Sequence, residues 1–154
     1  MKNYYLLPAL SSNPQILRRT LELITPEKLT LPTHSDRFSP LEVICHLADW
    51  EPIMREERMK VALNAPGSSF LAYDEAVMAV ENNYAGRNMN QQLELFAAER
   101  AKTVEFVKSM SDSDWANTAY HPERGMMSLF ELIHMVVCHD IYHVDQLWAA
   151  IPQK

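Results

Sequence analysis

Ser128-Leu129-Phe130-Glu131-Leu132-Ile133-His134-Met135-Val136-Val137-Cys138-His139-Asp140-Ile141-Tyr142-His143-Val144-Asp145-Gln146-Leu147-Trp148-Ala149-Ala150 is the stretch that decides the fold. At about 100° per residue, Leu132, Met135, Val136, Leu147 and Ala150 fall on one face, the spacing of a helix that buries one side. Ser128 with Glu131 three residues later forms a capping box, and Pro152 follows the last apolar position, so a helix is expected from Ser128 to about Ala150. His139 and His143 lie on that same apolar face. Four residues apart, their imidazoles are about 40° apart around the axis, within reach of one metal ion.

Three more helices of this kind precede it. Asn88 with Gln91 marks one start, and Leu93, Phe96, Ala97, Val104 and Val107 carry its stripe to about Met110. Ser39-Pro40-Leu41-Glu42 opens another by the capping-box pattern, running to about Asn64 with a bend expected around Asp49 because Pro52 lacks a backbone donor. Asn13-Pro14 reads as a cap followed by proline at the first helical position, opening a helix to about Thr25 that presents Leu17, Thr20, Leu21 and Ile24. Ala65 to Ser69 breaks the pattern, and Asp74 to Tyr84 suits a short helix. No period-2 stretch argues for a sheet. The expectation is an all-α chain: one domain over residues 1–154, an antiparallel four-helix bundle with a short extra helix in the long middle connection.

Composition agrees. A chain of 154 residues with 47% hydrophobic content suits one core. Its formal net charge of −6 gives phosphate backbones no electrostatic reason to approach, so nucleic acid is not an expected partner. No apolar run reaches the roughly 18–20 residues of a membrane span, and the start at Met1 lacks a signal-peptide core, so a cytoplasmic protein without membrane attachment is expected. Cys45 and Cys138 sit in apolar helical patterns and are read as buried thiols. Nucleotide, hydrolase-elbow and thioredoxin motifs are absent from the sequence.

His46 shares a face with Val43, Trp50 and Ile53, so it also points inward and is the best third partner for His139 and His143. Buried imidazoles need a metal or hydrogen-bond partners, and carbonyls or water are the alternative to an ion. A three-nitrogen set leaves a coordination position open, as catalytic metal sites do. Arg100 lies in the apolar stripe with Leu93 and Phe96 and must meet a carboxylate, a carbonyl cluster or an anionic ligand, which also makes it a cofactor-binding candidate. Asp49 and Asp140 are candidates to hold a ligand imidazole by its second nitrogen, with exposure to solvent the alternative. His121, Pro122 and Gly125 read as a loop, its histidine exposed or touching substrate at the bundle mouth. His134 falls about 140° from His139 and should point away, while Tyr142 and Trp148 read as packing.

His46 in Cys-His-Leu-Ala-Asp-Trp, the segment His121 to Gly125 with Ser128 to Leu132, and His139-Asp140-Ile141-Tyr142-His143 together resemble the DinB/YfiT-like superfamily. The resemblance runs from about Asn13 to Ala150 and takes in Asp74-Glu75 and Arg100. It implies an up-down-down-up bundle and a divalent metal, zinc or nickel most often, on His46, His139 and His143. It also implies a thiol-dependent transferase or isomerase using a low-molecular-weight thiol such as bacillithiol or mycothiol. Two functional classes follow. One is a metal-dependent S-transferase acting on small electrophiles. The other is a non-catalytic metal- or ligand-binding bundle in a stress response, working as a homodimer through exposed Val137 and Ile141.

Overall fold

The computed structural model describes residues 5–34 and 37–152, so the sequence reading of Met1 to Tyr4 lies outside the described residues. The chain is mainly helical: α1 Leu6–Leu21, α2 Pro40–Pro52, α3 Lys60–Asn64, α4 Glu75–Glu81, α5 Met89–Ser109 and α6 Leu129–Trp148. Helix α5 packs along α1 and α2, and α6 along α1, which gives the four-helix bundle. No helix among the described residues is long and apolar enough to cross a membrane.

The start signals of α2, α5 and α6 are local, and they form as expected. Ser39 accepts from the Glu42 amide while the Glu42 carboxylate accepts from Ser39, and Ser128 and Glu131 do the same. Asn88 accepts from the Gln91 amide and Asp74 from those of Ala76 and Val77, so the short helix is capped too.

Four expectations need correction. First, α1 begins at Leu6, so Pro14 lies inside the helix rather than at its first position. Proline there leaves the Leu10 carbonyl without its usual donor. The Arg100 guanidinium supplies one at 3.3 Å. Second, the helix expected to run on to about Asn64 is not α-helical throughout beyond Pro52. The helix continues past it as a π-helical turn, Ile53–Met59, and resumes as α3. The extra residue in that turn brings Met54, Arg55, Arg58 and Met59 all into the interior.

Third, the chain is not purely helical. Strands β1 Thr118–His121 and β2 Gly125–Ser128 form an antiparallel hairpin, with Thr118 opposite Ser128 and His121 opposite Gly125. Its three-residue turn, Pro122 to Arg124, leads into Gly125 at φ +76°, a left-handed position that glycine adopts without strain. The segment Gly67 to Phe70 bonds along β1 through the amides of Gly67, Phe70 and Tyr120. His121 is therefore a buried strand residue, not an exposed loop residue. Fourth, Cys45 is buried but Cys138 is exposed, and Tyr142 and Trp148 are about half exposed rather than packed. Ile141 is exposed, whereas Val137 packs partly against the core.

The core has two main clusters. One gathers Leu10, Met54, Met59, Leu129, Leu132 and Ile133, and the other Leu17, Ile44, Leu47, Phe96 and Leu147. Arg100 joins them, bonded to Leu10 of the first and lying over the Phe96 ring of the second at 4.9 Å.

Candidate metal centre

Helix α2 delivers His46 and α6 delivers His139 and His143 to one point. The Nε2 of His139 lies 3.1 Å from that of His46 and 3.1 Å from that of His143. His46 is fully buried, His143 nearly so, and His139 half-buried at the edge of a cavity of about 550 Å³. Burial drives all three rings well below the ordinary histidine range, to about 3 for His46, about 2 for His139 and about 4 for His143. Neutral rings are the form that ligates metals.

The donor set fits a divalent ion. Three neutral imidazoles face one another through the same ring atom, and three nitrogens cannot all satisfy one another. His143 Nδ1 lies 3.1 Å from the Gln146 side-chain oxygen, which calls for a proton on Nδ1 and leaves Nε2 with its lone pair. Gln146 is held in turn by donating to the Phe38 carbonyl at 3.1 Å. The buried Nδ1 of His46 has no hydrogen-bond partner among the described residues, and that ring is instead fixed by stacking on Trp50 at 5.6 Å.

The remaining candidates are placed elsewhere. Arg100 is buried between α2 and α6, donating to Glu51 at 2.7 and 2.9 Å and to Asp140 at 2.6 and 3.0 Å. Its guanidinium is thus filled by the protein, and it does not line the cavity where a cofactor would sit. Burial works against its charge, but the two carboxylates outweigh that and raise its pKa. Asp140 serves this cluster rather than a histidine ring. Asp49 accepts from Arg87 at 2.8 Å and from Asn82 at 3.1 Å, also away from the imidazoles. His134 stacks on Phe130, outside the triad.

Sequence reasoning missed three groups at the site. Gln146 carried a signal, three residues beyond His143 on the same helix. Glu75, whose Oε1 is 4.0 Å from His46 Nε2, is brought in by α4 across a long connection. Arg58 lines the cavity from within the π-helical turn, an element that local sequence does not announce.

A four-helix bundle that gathers three histidines at the edge of a cavity defines the class: a helical scaffold with a metal-type ligand set. The sequence profile of the DinB superfamily matches residues 9–147, and the chain belongs to that superfamily. A protein of Oceanobacillus iheyensis with the provisional name metal-dependent hydrolase OB0782 is 25% identical over 141 residues, 92% of this chain and 81% of the relative. Among solved structures, YfiT from Bacillus subtilis superposes with a TM-score of 0.83 at 20% identity, covering 92% of this chain and 81% of YfiT. It is described, provisionally, as a metal-dependent hydrolase with an unusual four-helix bundle topology. The mycothiol-dependent maleylpyruvate isomerase superposes with a TM-score of 0.73 at 16% identity, over 96% of this chain and 63% of that longer protein.

Proposed function

We propose that the chain is a divalent-metal-dependent enzyme in which a small thiol attacks a small electrophile, with zinc or nickel held by His46, His139 and His143. The observation that carries this reading is the convergence of three neutral Nε2 atoms at the edge of a cavity. When bound, a divalent ion lowers the pKa of a coordinated thiol or water and supplies a nucleophile at neutral pH. Gln146 orients His143 for that role. Glu75, half-exposed at the rim of the same cavity, has its carboxyl pKa raised by partial desolvation there, which suits a group that takes up a proton beside the ligands. Trp50, Met54 and Met135 give the cavity an apolar wall that limits water.

The naming of the longer structural relative as mycothiol-dependent favours a thiol over water as the nucleophile, and a cavity of about 550 Å³ has room for a small thiol beside an electrophile. Chelator-treated, zinc-loaded and nickel-loaded protein, each with cysteine, bacillithiol or mycothiol and a chromogenic electrophile, provide the test. The expected result is a rate requiring both metal and thiol. A metal-dependent rate on a chromogenic ester without thiol would replace transfer by hydrolysis, and no metal-dependent rate with any thiol or ester would contradict the enzyme reading.

A further inference from the structure

Arg58 is the other unusual group in the cavity. It is 5% exposed, and among the described residues no carboxylate lies within 4.0 Å of its guanidinium. Its Nε has no hydrogen-bond partner among the described residues, and Nη1 donates to the soft thioether sulfur of Met54 at 3.6 Å. The guanidinium plane is instead held by aromatic rings, 4.7 Å from Trp50 and 5.9 Å from Phe70. A buried cation with unfilled donors is costly, and arginine in this state is matched to planar anions.

The neighbouring ring sharpens this. His121 Nδ1 accepts the Glu123 amide at 3.2 Å, so the proton of the neutral ring sits on Nε2. That Nε2 is 3.5 Å from Arg58 Nη1. Both atoms are therefore donors, and neither can satisfy the other. Two converging donors of this kind need one shared acceptor. Both residues line the cavity that His139 borders, with Arg124 adding a third basic group at its exposed edge. Glu75 and Glu123 line the cavity too and offset the charge without reaching the guanidinium.

We propose that Arg58 and His121 form a carboxylate-binding subsite, so that a molecule acted on at the histidine triad carries a free carboxylate. This rests on reading the triad as the centre of a small-molecule enzyme. The carboxylate belongs either to the electrophile or to the thiol, and the chemistry of recognition is the same.

Calorimetric titration separates these cases. Succinate and N-acetylcysteine, with succinamide and N-acetylcysteamine as uncharged counterparts, are titrated into zinc-loaded wild type, Arg58→Gln, Arg58→Lys and His121→Leu. Wild type is expected to prefer acid over amide, and Arg58→Gln to lose about 10- to 100-fold in acid affinity, with Arg58→Lys intermediate. If Arg58→Gln does not fold by its melting transition, Arg58→Lys and His121→Leu carry the same comparison. Discrimination of succinate alone assigns the carboxylate to the electrophile, and of N-acetylcysteine alone to the thiol; either supports the subsite. The same titrations in metal-free His139→Ala keep the acid preference if Arg58 supplies it. Acids that bind no better than amides overturn the proposal, as does a preference unchanged in Arg58→Gln but lost in His139→Ala, which would put the carboxylate on the metal. Failure of wild type to retain zinc would count against the metal centre alone, because the acid preference is read without metal.

Discussion

At the scale of single residues, the proposed metal site depends on groups that hold the three histidines as much as on the histidines. Gln146 fixes the proton of His143 on Nδ1, so Gln146→Ala is expected to weaken metal affinity by about 10- to 100-fold while leaving the three histidines in place. Competition against a chromogenic chelator measures this, and an unchanged affinity would remove Gln146 from the site. Arg100 bridges Glu51 and Asp140 in the interior, and Arg100→Met would strand two buried carboxylates. The expected loss is about 3–5 kcal/mol in urea denaturation, and a loss below about 1 kcal/mol would mean the cluster is not coupled to folding. The histidines also set a pH dependence. They are neutral when folded and, below about pH 6.5, charged when unfolded. The unfolded chain then binds more protons, so stability of the metal-free protein falls as pH drops from about 6.5 towards about 4, where His143 begins to titrate in the fold. Urea midpoints near pH 7.5 and pH 5 check the sign; a higher midpoint at pH 5 would contradict it.

At the scale of elements, what was legible was local. Ser39-Glu42, Ser128-Glu131 and Asn88-Gln91 announce their helices because each cap is closed by residues three apart. Ser128→Ala is expected to cost about 1 kcal/mol, read from the unfolding midpoint, and Ser128→Asp to restore most of it. What was not legible depended on distant partners. Pro14 looks like a first helical position until Arg100, 86 residues away, supplies the donor its helix lacks. Nothing in the neighbours of Pro52 signals the π-helical turn that follows it. The hairpin escaped because four-residue strands are too short to show alternation, although Pro122 between them and Gly125 at the start of β2 were turn signals. These misses meet at the cavity: the π turn supplies Arg58 and the hairpin supplies His121. The histidine triad was readable from helical faces alone, because each ring sits on an apolar stripe, whereas the rest of the cavity wall was not.

At the scale of the whole molecule, two apolar clusters are joined through Arg100, and the triad draws on α2 and α6, the same two helices that this arginine links through Glu51 and Asp140. Asp140 is the chain neighbour of His139, so the cluster that anchors the helices also anchors a proposed ligand. The arrangement accounts for how buried imidazoles are held facing one another at a cavity edge rather than turned into the core. X-ray absorption at the edge of zinc or nickel, on protein loaded with one equivalent of metal, tests the central claim most directly. The account predicts a first shell with three imidazole nitrogens at about 2.0–2.1 Å, reduced in His139→Ala. A shell without histidine scattering, or one unchanged in His139→Ala, would contradict it.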